Sequence, residues 1–106
     1  MHINNVLGIV KKSRTTSKTL DRYVDEFLNP QTLMEVYIRH YRNLFKIFSG
    51  TMIEGDIKQV ENCVNLACAI ASHPNVTRET LKKLLLFKEW PESVRKEIQQ
   101  RLAEKS

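Results

Sequence analysis

Residues 67–81 decide the fold and read ACAIASHPNVTRETL. The small and apolar side chains before the His-Pro pair recur at helical spacing, and Pro74 cannot continue a helix. After Asn75, Thr77 is the residue type that caps a new helix. The stretch therefore predicts a helix, a sharp corner and a second helix. We expect the imidazole of His73 to hydrogen-bond the carbonyl groups that end the first of these helices.

The same helical spacing of apolar residues recurs on both sides of this stretch. The low content of three Gly and three Pro in 106 residues argues against a sandwich, a barrel or a disordered chain. We predict a single all-α domain over residues 1–106, a compact irregular bundle or a short helical-repeat stack of five to six helices. Residues 1–17 are the candidate for a loosely attached N-terminal segment. The expected helices lie at 3–10, at 18–28, at 30–49, from Asp56 to the corner, from the corner onward, and after Pro91.

The predicted core follows the apolar face of each helix. Asp56 and Gln59 form a capping-box pattern at the start of a helix that is apolar nearly all round after Asn65, so we expect this helix to be central. Ala67 and Ala71 are small enough for another helix to approach closely. The expected core residues are Tyr23, Phe27, Leu33, Tyr37, Leu44, Phe48, Val60, Val64, Ala67, Leu81, Leu84, Val94 and Ile98. The charged residues of the last helix that we expect in solvent include Arg95 and Arg101.

Residues 64–98 carry a longer pattern. An alanine-rich helix end is followed by His73-Pro74-Asn75, by Thr77 and a buried leucine, and by the pair Val94-Arg95. This pattern resembles one unit of the leucine-rich repeat variant, a relative of HEAT-type helical repeats. The match covers a single copy, and repeats of this kind bury their faces against neighbouring copies. The resemblance implies a scaffold for protein contacts, without catalytic residues.

Four apolar residues around the last corner are the candidate partner contact: Leu85, Leu86, Phe87 and Trp90. Leu86 and Phe87 lie off the main apolar stripe, and tryptophan is a favoured anchor in protein interfaces. The alternative is that these side chains close the base of the bundle. Because nearly every helix has an apolar excess, the leading hypothesis is a non-catalytic protein–protein interaction module: an adaptor, a chaperone-like partner or a small subunit of a larger assembly. Another protein is the expected partner, and pairing with a second copy stays open.

The net charge of +5 is concentrated in the N-terminal half, where residues 1–50 hold eight Lys or Arg against four Asp or Glu. Clustered basic residues can contact phosphate groups, so a nucleic-acid-binding helical domain is the alternative function. A solvated basic face is the competing interpretation, because the aromatic residues of this half lie mostly on the buried side. The candidate basic patch comprises Lys11, Lys12, Arg14, Lys18, Arg22, Arg39, Arg42 and Lys46.

The sequence contains no recognisable catalytic, cofactor-binding or metal-binding pattern. Asp21 and Asp25 flank Arg22 on an amphipathic helix, and we interpret them as ordinary solvated charges. Cys63 and Cys68 lie about 140° apart around one helix, so we expect two free thiols rather than a disulfide. We therefore predict no enzymatic activity, no metal and no cofactor. Free thiols, the lack of a secretory leader and the lack of a membrane span favour a cytoplasmic protein.

Overall fold

The computed structural model of the chain describes residues 3–38 and 54–105. Every regular element in these ranges is an α-helix, which confirms the all-α prediction and the expected number of helices. The helices are α1 (Ile3–Val10), α2 (Ser17–Phe27), α3 (residues 30–38 of the described part), α4 (Glu54–Ser72), α5 (Arg78–Leu85) and α6 (Glu92–Glu104).

Two threonines set the beginnings of α2 and α5. The hydroxyl oxygen of Thr16 accepts a hydrogen bond from the backbone N–H of Thr19 at 3.3 Å. Thr77 accepts from the backbone N–H of Thr80 at the same distance. Each bond satisfies an amide that the first turn of a helix leaves unpaired. The cap predicted at Thr77 is confirmed.

Asn29 and two prolines set the other boundaries. The side-chain oxygen of Asn29 accepts from the backbone N–H of Thr32 at 2.9 Å, and its amide nitrogen donates to the carbonyl of Asp25 at 2.8 Å. Pro30 is the first residue of α3, where the missing N–H removes no helical hydrogen bond. Pro91 directly precedes α6. Asn29 therefore ties the end of α2 to the start of α3.

The start of α4 differs from the expectation. The helix begins at Glu54, so Asp56 lies inside it and the predicted capping box at Asp56 is wrong. Acidic residues are favoured throughout the first turn of a helix, and the sequence supplies two of them here. The local pattern therefore does not distinguish between these two starting points.

The helices pack around α4 and α6. α6 lies against both α4 and α5, α1 lies against α4, and α2 contacts α5 and, less extensively, α1 and α4. The buried side chains of α4 are small or aliphatic, and the smallest, Ala67 and Ala71, are 0% exposed. The central position predicted for α4 is thus confirmed. None of the helices in the described ranges has both the length and the apolar character needed to span a bilayer.

Most of the predicted core residues are buried, and the others are half-buried or lie outside the described residues. Val60 and Val64 are only half-buried, because α4 turns a different stripe toward its neighbours, and Phe27 is half-buried at the end of α2. Leu44 and Phe48 lie outside the described residues. The buried residues that agree with the prediction are Tyr23, Leu33, Tyr37, Ala67, Leu81, Leu84, Val94 and Ile98. Those that the prediction omitted include Val6, Val10, Leu20, Val24, Leu28, Val36, Cys63, Leu66, Ile70, Val76, Phe87 and Trp90.

The first helix contributes to the interior. Val6 and Val10 are 0% and 1% exposed where α1 lies against α4. Burying a valine side chain contributes about 1.5–3 kcal/mol relative to leaving it in water. How readily residues 1–17 detach from the rest of the domain stays a prediction.

Candidate functional site

Three aromatic rings of the described residues pack together at the turn between α5 and α6. Ring centroids lie 5.1 Å apart for Tyr37 and Phe87, 5.0 Å for Phe87 and Trp90, and 6.4 Å for Tyr37 and Trp90. The rings meet edge to face, an arrangement that places the positive edge of one against the negative face of another. The indole N–H of Trp90 donates to the backbone carbonyl of Leu84 at 2.8 Å. We call Tyr37, Phe87 and Trp90 the aromatic cluster.

The aromatic cluster removes part of the predicted partner contact from the surface. Phe87 and Trp90 are 3% and 2% exposed, so these rings close the base of the bundle. Their contacts with Tyr37 of α3 bury them, and a pattern read along α5 alone could not include that helix. Leu85 is half-buried and Leu86 is 65% exposed. Of the predicted contact residues, Leu85 and Leu86 are therefore the ones that reach solvent.

A groove of about 230 Å³ lies between the end of α5 and the face of α6, and we call it the α5–α6 groove. Leu85 and Phe87 supply apolar lining, whereas Lys88, Arg95 and Gln99 supply polar lining. The guanidinium of Arg95 donates to the backbone carbonyl of Lys88 at 2.9 Å and to that of Trp90 at 3.3 Å. Arg95 is exposed, as predicted, and its guanidinium is also held by the turn. Among the described residues that line this groove there are two cations and no carboxylate.

Four residues of the candidate basic patch lie together at the start of the molecule. Lys11, Lys12 and Arg14 occupy the loop between α1 and α2, and Lys18 lies in the first turn of α2. All four are exposed, and none forms an ion pair with another residue in the described ranges. We call these four residues the basic loop.

The other members of the basic patch differ from the basic loop. The Nε of Arg22 lies 3.9 Å from a carboxylate oxygen of Glu26, and the guanidinium lies 5.3 Å from the ring centroid of Tyr23. Arg22 therefore has contacts of its own on α2. The remaining members, Arg39, Arg42 and Lys46, lie outside the described residues.

Two side chains from the corner after α4 hold the backbone of the α1–α2 loop. The Nε2 of His73 lies 2.9 Å from the carbonyl oxygen of Lys12. The amide nitrogen of Asn75 donates to the carbonyls of Ser13 at 3.2 Å and Thr15 at 2.8 Å. The bond from His73 joins positions that are 61 residues apart in the chain. We call His73 and Asn75 the corner clamp.

The hydrogen bonds of His73 determine which ring nitrogen carries the proton. Its Nδ1 accepts from the backbone N–H of Asn75 at 3.0 Å. Because an amide N–H only donates and a carbonyl only accepts, the ring is assigned as the neutral tautomer with its proton on Nε2. The imidazole is buried, at 4% exposure. The prediction that His73 bonds the carbonyls at the end of α4 is wrong, because the ring points to the loop after α1.

Arg101 of α6 takes the role that we expected of His73. Its Nε donates to the carbonyl of Ala71 at 3.0 Å, and its Nη2 donates to the carbonyl of His73 at 3.2 Å. Its Nη1 lies 3.1 Å from a carboxylate oxygen of Glu104. The bond to Ala71 satisfies a carbonyl that the last turn of α4 leaves unpaired, and the bond to His73 adds to the one that this carbonyl accepts from the N–H of Val76. The prediction that Arg101 stays in solvent is therefore wrong: its side chain is only 27% exposed.

An ionic cluster joins α2 to α5. The Nζ of Lys83 lies 2.9 Å from a carboxylate oxygen of Asp21 and 3.1 Å from one of Asp25. The hydroxyl of Thr80 donates to Asp21 at 2.9 Å. The hydrogen bond from Lys83 lowers the pKa of Asp21, and the same bond raises the pKa of Lys83. The two aspartates are thus paired rather than simply solvated.

Both cysteines are free thiols. Cys63 is buried and Cys68 is half-buried on α4. Desolvation raises the pKa of each thiol to about 11, so the reactive thiolate is disfavoured near neutral pH. Within residues 3–38 and 54–105, no three His, Cys, Asp or Glu side chains are grouped so that they could hold a metal ion.

The corner clamp and the bonds of Arg101 are the features that sequence reasoning missed. Periodicity reports which face of a helix is buried, but it does not report which distant backbone group a polar side chain reaches. A weak signal was present, because the corner places two hydrogen-bonding side chains on either side of Pro74 next to a strongly apolar helix.

Two surfaces are therefore candidates for function: the α5–α6 groove beside exposed Leu86, and the basic loop held by the corner clamp. The first is apolar with a basic rim, and the second carries only basic and hydroxyl side chains on its exposed positions. No family model matches the chain, and no curated protein or solved structure matches it either.

Proposed function

We propose that the chain is a non-catalytic protein-interaction module that binds its partner at the α5–α6 groove. The observation that carries the proposal is the exposure of Leu86, which is 65% exposed next to the apolar lining of the groove. The other large apolar side chains exposed in the described ranges, Met34 and Ile38, are each 42% exposed. An exposed leucine contributes little to the isolated fold, whereas a partner that covers it gains its burial energy.

The chemistry of the groove indicates the kind of segment that fits it. Leu85 and Phe87 offer an apolar contact, and the cations of Lys88 and Arg95 lie beside it. A helix or strand with one large apolar side chain flanked by carboxylates would match both features. Arg95 is already held by two carbonyl groups, so its ordering costs little additional entropy on binding.

The resemblance of residues 64–98 to a HEAT-type repeat unit supports the same proposal, since such units serve as scaffolds for other proteins. On this basis we propose the role of an adaptor, a chaperone-like partner or a small subunit of a larger assembly. The free thiols of Cys63 and Cys68 fit a reducing compartment, and the cytoplasm is the location that we propose.

Site-specific photo-crosslinking tests this function. A photoreactive amino acid replaces Leu86 in cells that naturally contain the protein, and a second version carries it at Gln100, an exposed position of α6. We expect a discrete adduct with one partner from position 86 and none from position 100. With that partner purified, Leu86→Ser should weaken binding by about tenfold, while Gln100→Ser should leave it unchanged.

Two outcomes of these experiments would contradict the proposal. Equal adducts from the two positions, or an affinity that Leu86→Ser does not lower, would contradict the α5–α6 groove as the binding surface. Because Leu86 is exposed, its replacement should leave the fold intact, and circular dichroism of each variant checks this.

A further inference from the structure

We infer that the basic loop is a phosphate-binding site for nucleic acid, and that the corner clamp holds it in a binding-ready shape. This site is separate from the α5–α6 groove and does not depend on it. Residues 1–20 contain four Lys or Arg and no Asp or Glu. All four basic side chains are exposed and have no ion-pair partner in the described ranges.

The acidic residues of α2 do not cancel this charge. Asp21 and Asp25 are paired with Lys83, and Glu26 lies 3.9 Å from Arg22. Two cations outside the basic loop, Lys83 and Arg22, pair with these three carboxylates and leave one negative charge over, on the side of Lys18. A net positive charge therefore remains on the loop, concentrated at Lys11, Lys12 and Arg14, where it can attract phosphate groups.

The loop backbone is held from both sides. The corner clamp occupies the carbonyls of Lys12, Ser13 and Thr15, and the hydroxyl of Thr15 donates to the carbonyl of Ile9 at 2.7 Å. A loop that is already ordered loses less conformational entropy when it binds than one that must be ordered by the ligand. The basic side chains thus project from a fixed backbone.

A groove of about 360 Å³ runs between the loop and the corner. Lys11 and Ser13 line one side of it, and His73 and Pro74 line the other. An ammonium group and a hydroxyl group are common donors to phosphate oxygens, and within residues 3–38 and 54–105 the groove has no carboxylate in its lining. The groove offers a place where a phosphate can approach the basic loop.

The composition of the loop favours nucleic acid over a membrane or an acidic protein. Membrane-surface and protein-interface segments combine charge with large exposed apolar side chains. The large apolar side chains exposed in the described ranges are Met34, Ile38 and Leu86, and none belongs to the basic loop. A surface of lysine, arginine and serine suits contacts to the phosphate backbone, which carry affinity without base specificity.

Fluorescence anisotropy with a labelled single-stranded oligonucleotide tests the site. The variant Lys11→Ala/Lys12→Ala/Arg14→Ala should bind at least about tenfold more weakly at low salt, and its affinity should depend less steeply on salt concentration. The matched control Lys58→Ala/Lys82→Ala/Lys96→Ala removes the same charge from exposed positions of α4, α5 and α6. We expect the control to stay within about twofold of the natural sequence. Absence of binding at low salt, or an equal loss in the control, would overturn the inference.

The variant Asn75→Ala tests the corner clamp separately, because it removes two hydrogen bonds to the loop and changes no charge. We expect binding about threefold weaker with an unchanged salt dependence and an unchanged circular dichroism spectrum. Full affinity in Asn75→Ala would overturn the role of the clamp. Vesicles of phosphatidylcholine with phosphatidylserine form the last arm, and stronger binding to them than to the oligonucleotide would overturn the assignment to nucleic acid.

Discussion

The two corners that flank α5 are stabilised in different ways. The corner before it is polar: His73 and Asn75 reach across to carbonyls of the α1–α2 loop. The corner after it is aromatic: Phe87 and Trp90 pack against Tyr37. The hydrogen bond from the indole N–H of Trp90 reaches a carbonyl only six residues earlier in the chain. Hydrogen bonds fasten one corner to a distant segment, whereas buried surface holds the other.

The two corners therefore contribute differently to the molecule, one mainly to the stability of the fold and the other mainly to the position of a backbone segment. Burial of large rings contributes several kcal/mol without fixing a particular backbone atom, while each hydrogen bond contributes about 1 kcal/mol and fixes its partner's position. We therefore expect the aromatic corner to dominate the free energy of unfolding and the polar corner to determine the shape of the basic loop.

The largest expected effect is that of Trp90→Ala. Removing a side chain that is 2% exposed leaves a cavity in the aromatic cluster, and the free energy of unfolding should fall by about 3–5 kcal/mol. Chemical denaturation followed by circular dichroism measures it. Trp90→Phe, which keeps a ring but loses the bond to Leu84, should lose less. A loss below about 1 kcal/mol in the alanine variant would mean that the rings do not hold this corner.

The next effect is that of His73→Ala at the polar corner. The change removes the ring's bond to the carbonyl of Lys12, which keeps its bond from the N–H of Thr15, and leaves the N–H of Asn75 without its partner, so we expect a loss of about 1–3 kcal/mol in the free energy of unfolding. Gln100→Ala, at an exposed position of α6, serves as the control and should change the free energy of unfolding little. If the two variants are equally stable, the hydrogen bonds of the ring do not contribute.

Gly8→Ala tests how firmly α1 is attached beside the polar corner. Gly8 is exposed in α1, and a Cβ there would meet no atom of another described segment within 4 Å. Alanine in place of glycine inside a helix should add about 0.5–1 kcal/mol to the free energy of unfolding. The gain appears in the global transition only if α1 unfolds together with the rest. No shift of the transition would instead support loose attachment of residues 1–17.

Asp21→Asn tests the ionic cluster that joins α2 to α5. The bond from Lys83 lowers the pKa of Asp21 below 3.8, so the charged carboxylate stabilises the fold above that pH. Since both side chains are more than a third exposed, we expect a loss of only a few tenths of a kcal/mol near neutral pH.

The sign of the pH dependence distinguishes this effect from a loss of packing. The difference between the natural sequence and Asp21→Asn should disappear as the pH falls below about 3.8 and Asp21 becomes protonated. The pKa of Lys83 is raised above 10.5, so its contribution is lost only as the pH rises through that higher value. Denaturation curves at several pH values measure the acidic and the alkaline range in which each contribution to stability is lost. A difference that stays constant down to acidic pH would rule out an ionic origin. Glu79→Gln, an exposed position of α5, serves as the control.

The smallest effect is that of Leu86→Ser in the isolated chain. The side chain is 65% exposed at the aromatic corner, so the free energy of unfolding should stay within about 0.5 kcal/mol. Leu84→Ser, at a position that is 0% exposed, should cost several times more. A large loss in Leu86→Ser would show that Leu86 serves the fold rather than a partner.

The helices could be predicted from the sequence because their signals are local. Thr77 caps α5 through a residue three positions away, and Asn29 does the same for α3. Ala67 and Leu81 lie on apolar stripes whose spacing follows the helical period, and both are buried. Each of these features depends on neighbours within a turn or two of helix.

The candidate surfaces were less predictable because their partners are distant in the chain. Phe87 and Trp90 looked available for contact when read along α5, but Tyr37 of α3 covers them. The carbonyl partner of His73 is 61 residues away, and that of Arg101 is 30 residues away. A long or polar side chain can reach many backbone groups, and the packing of the assembled helices determines which of them it bonds.

The contacts of Arg101 also imply an order of events during synthesis. While the ribosome is still making α5, the carbonyls of Ala71 and His73 have no guanidinium to bind, because Arg101 follows them by about thirty residues. We expect the corner after α4 to lack these two hydrogen bonds until α6 has been made and has packed. The last helix thus completes the hydrogen bonding of a corner that was synthesised about thirty residues earlier.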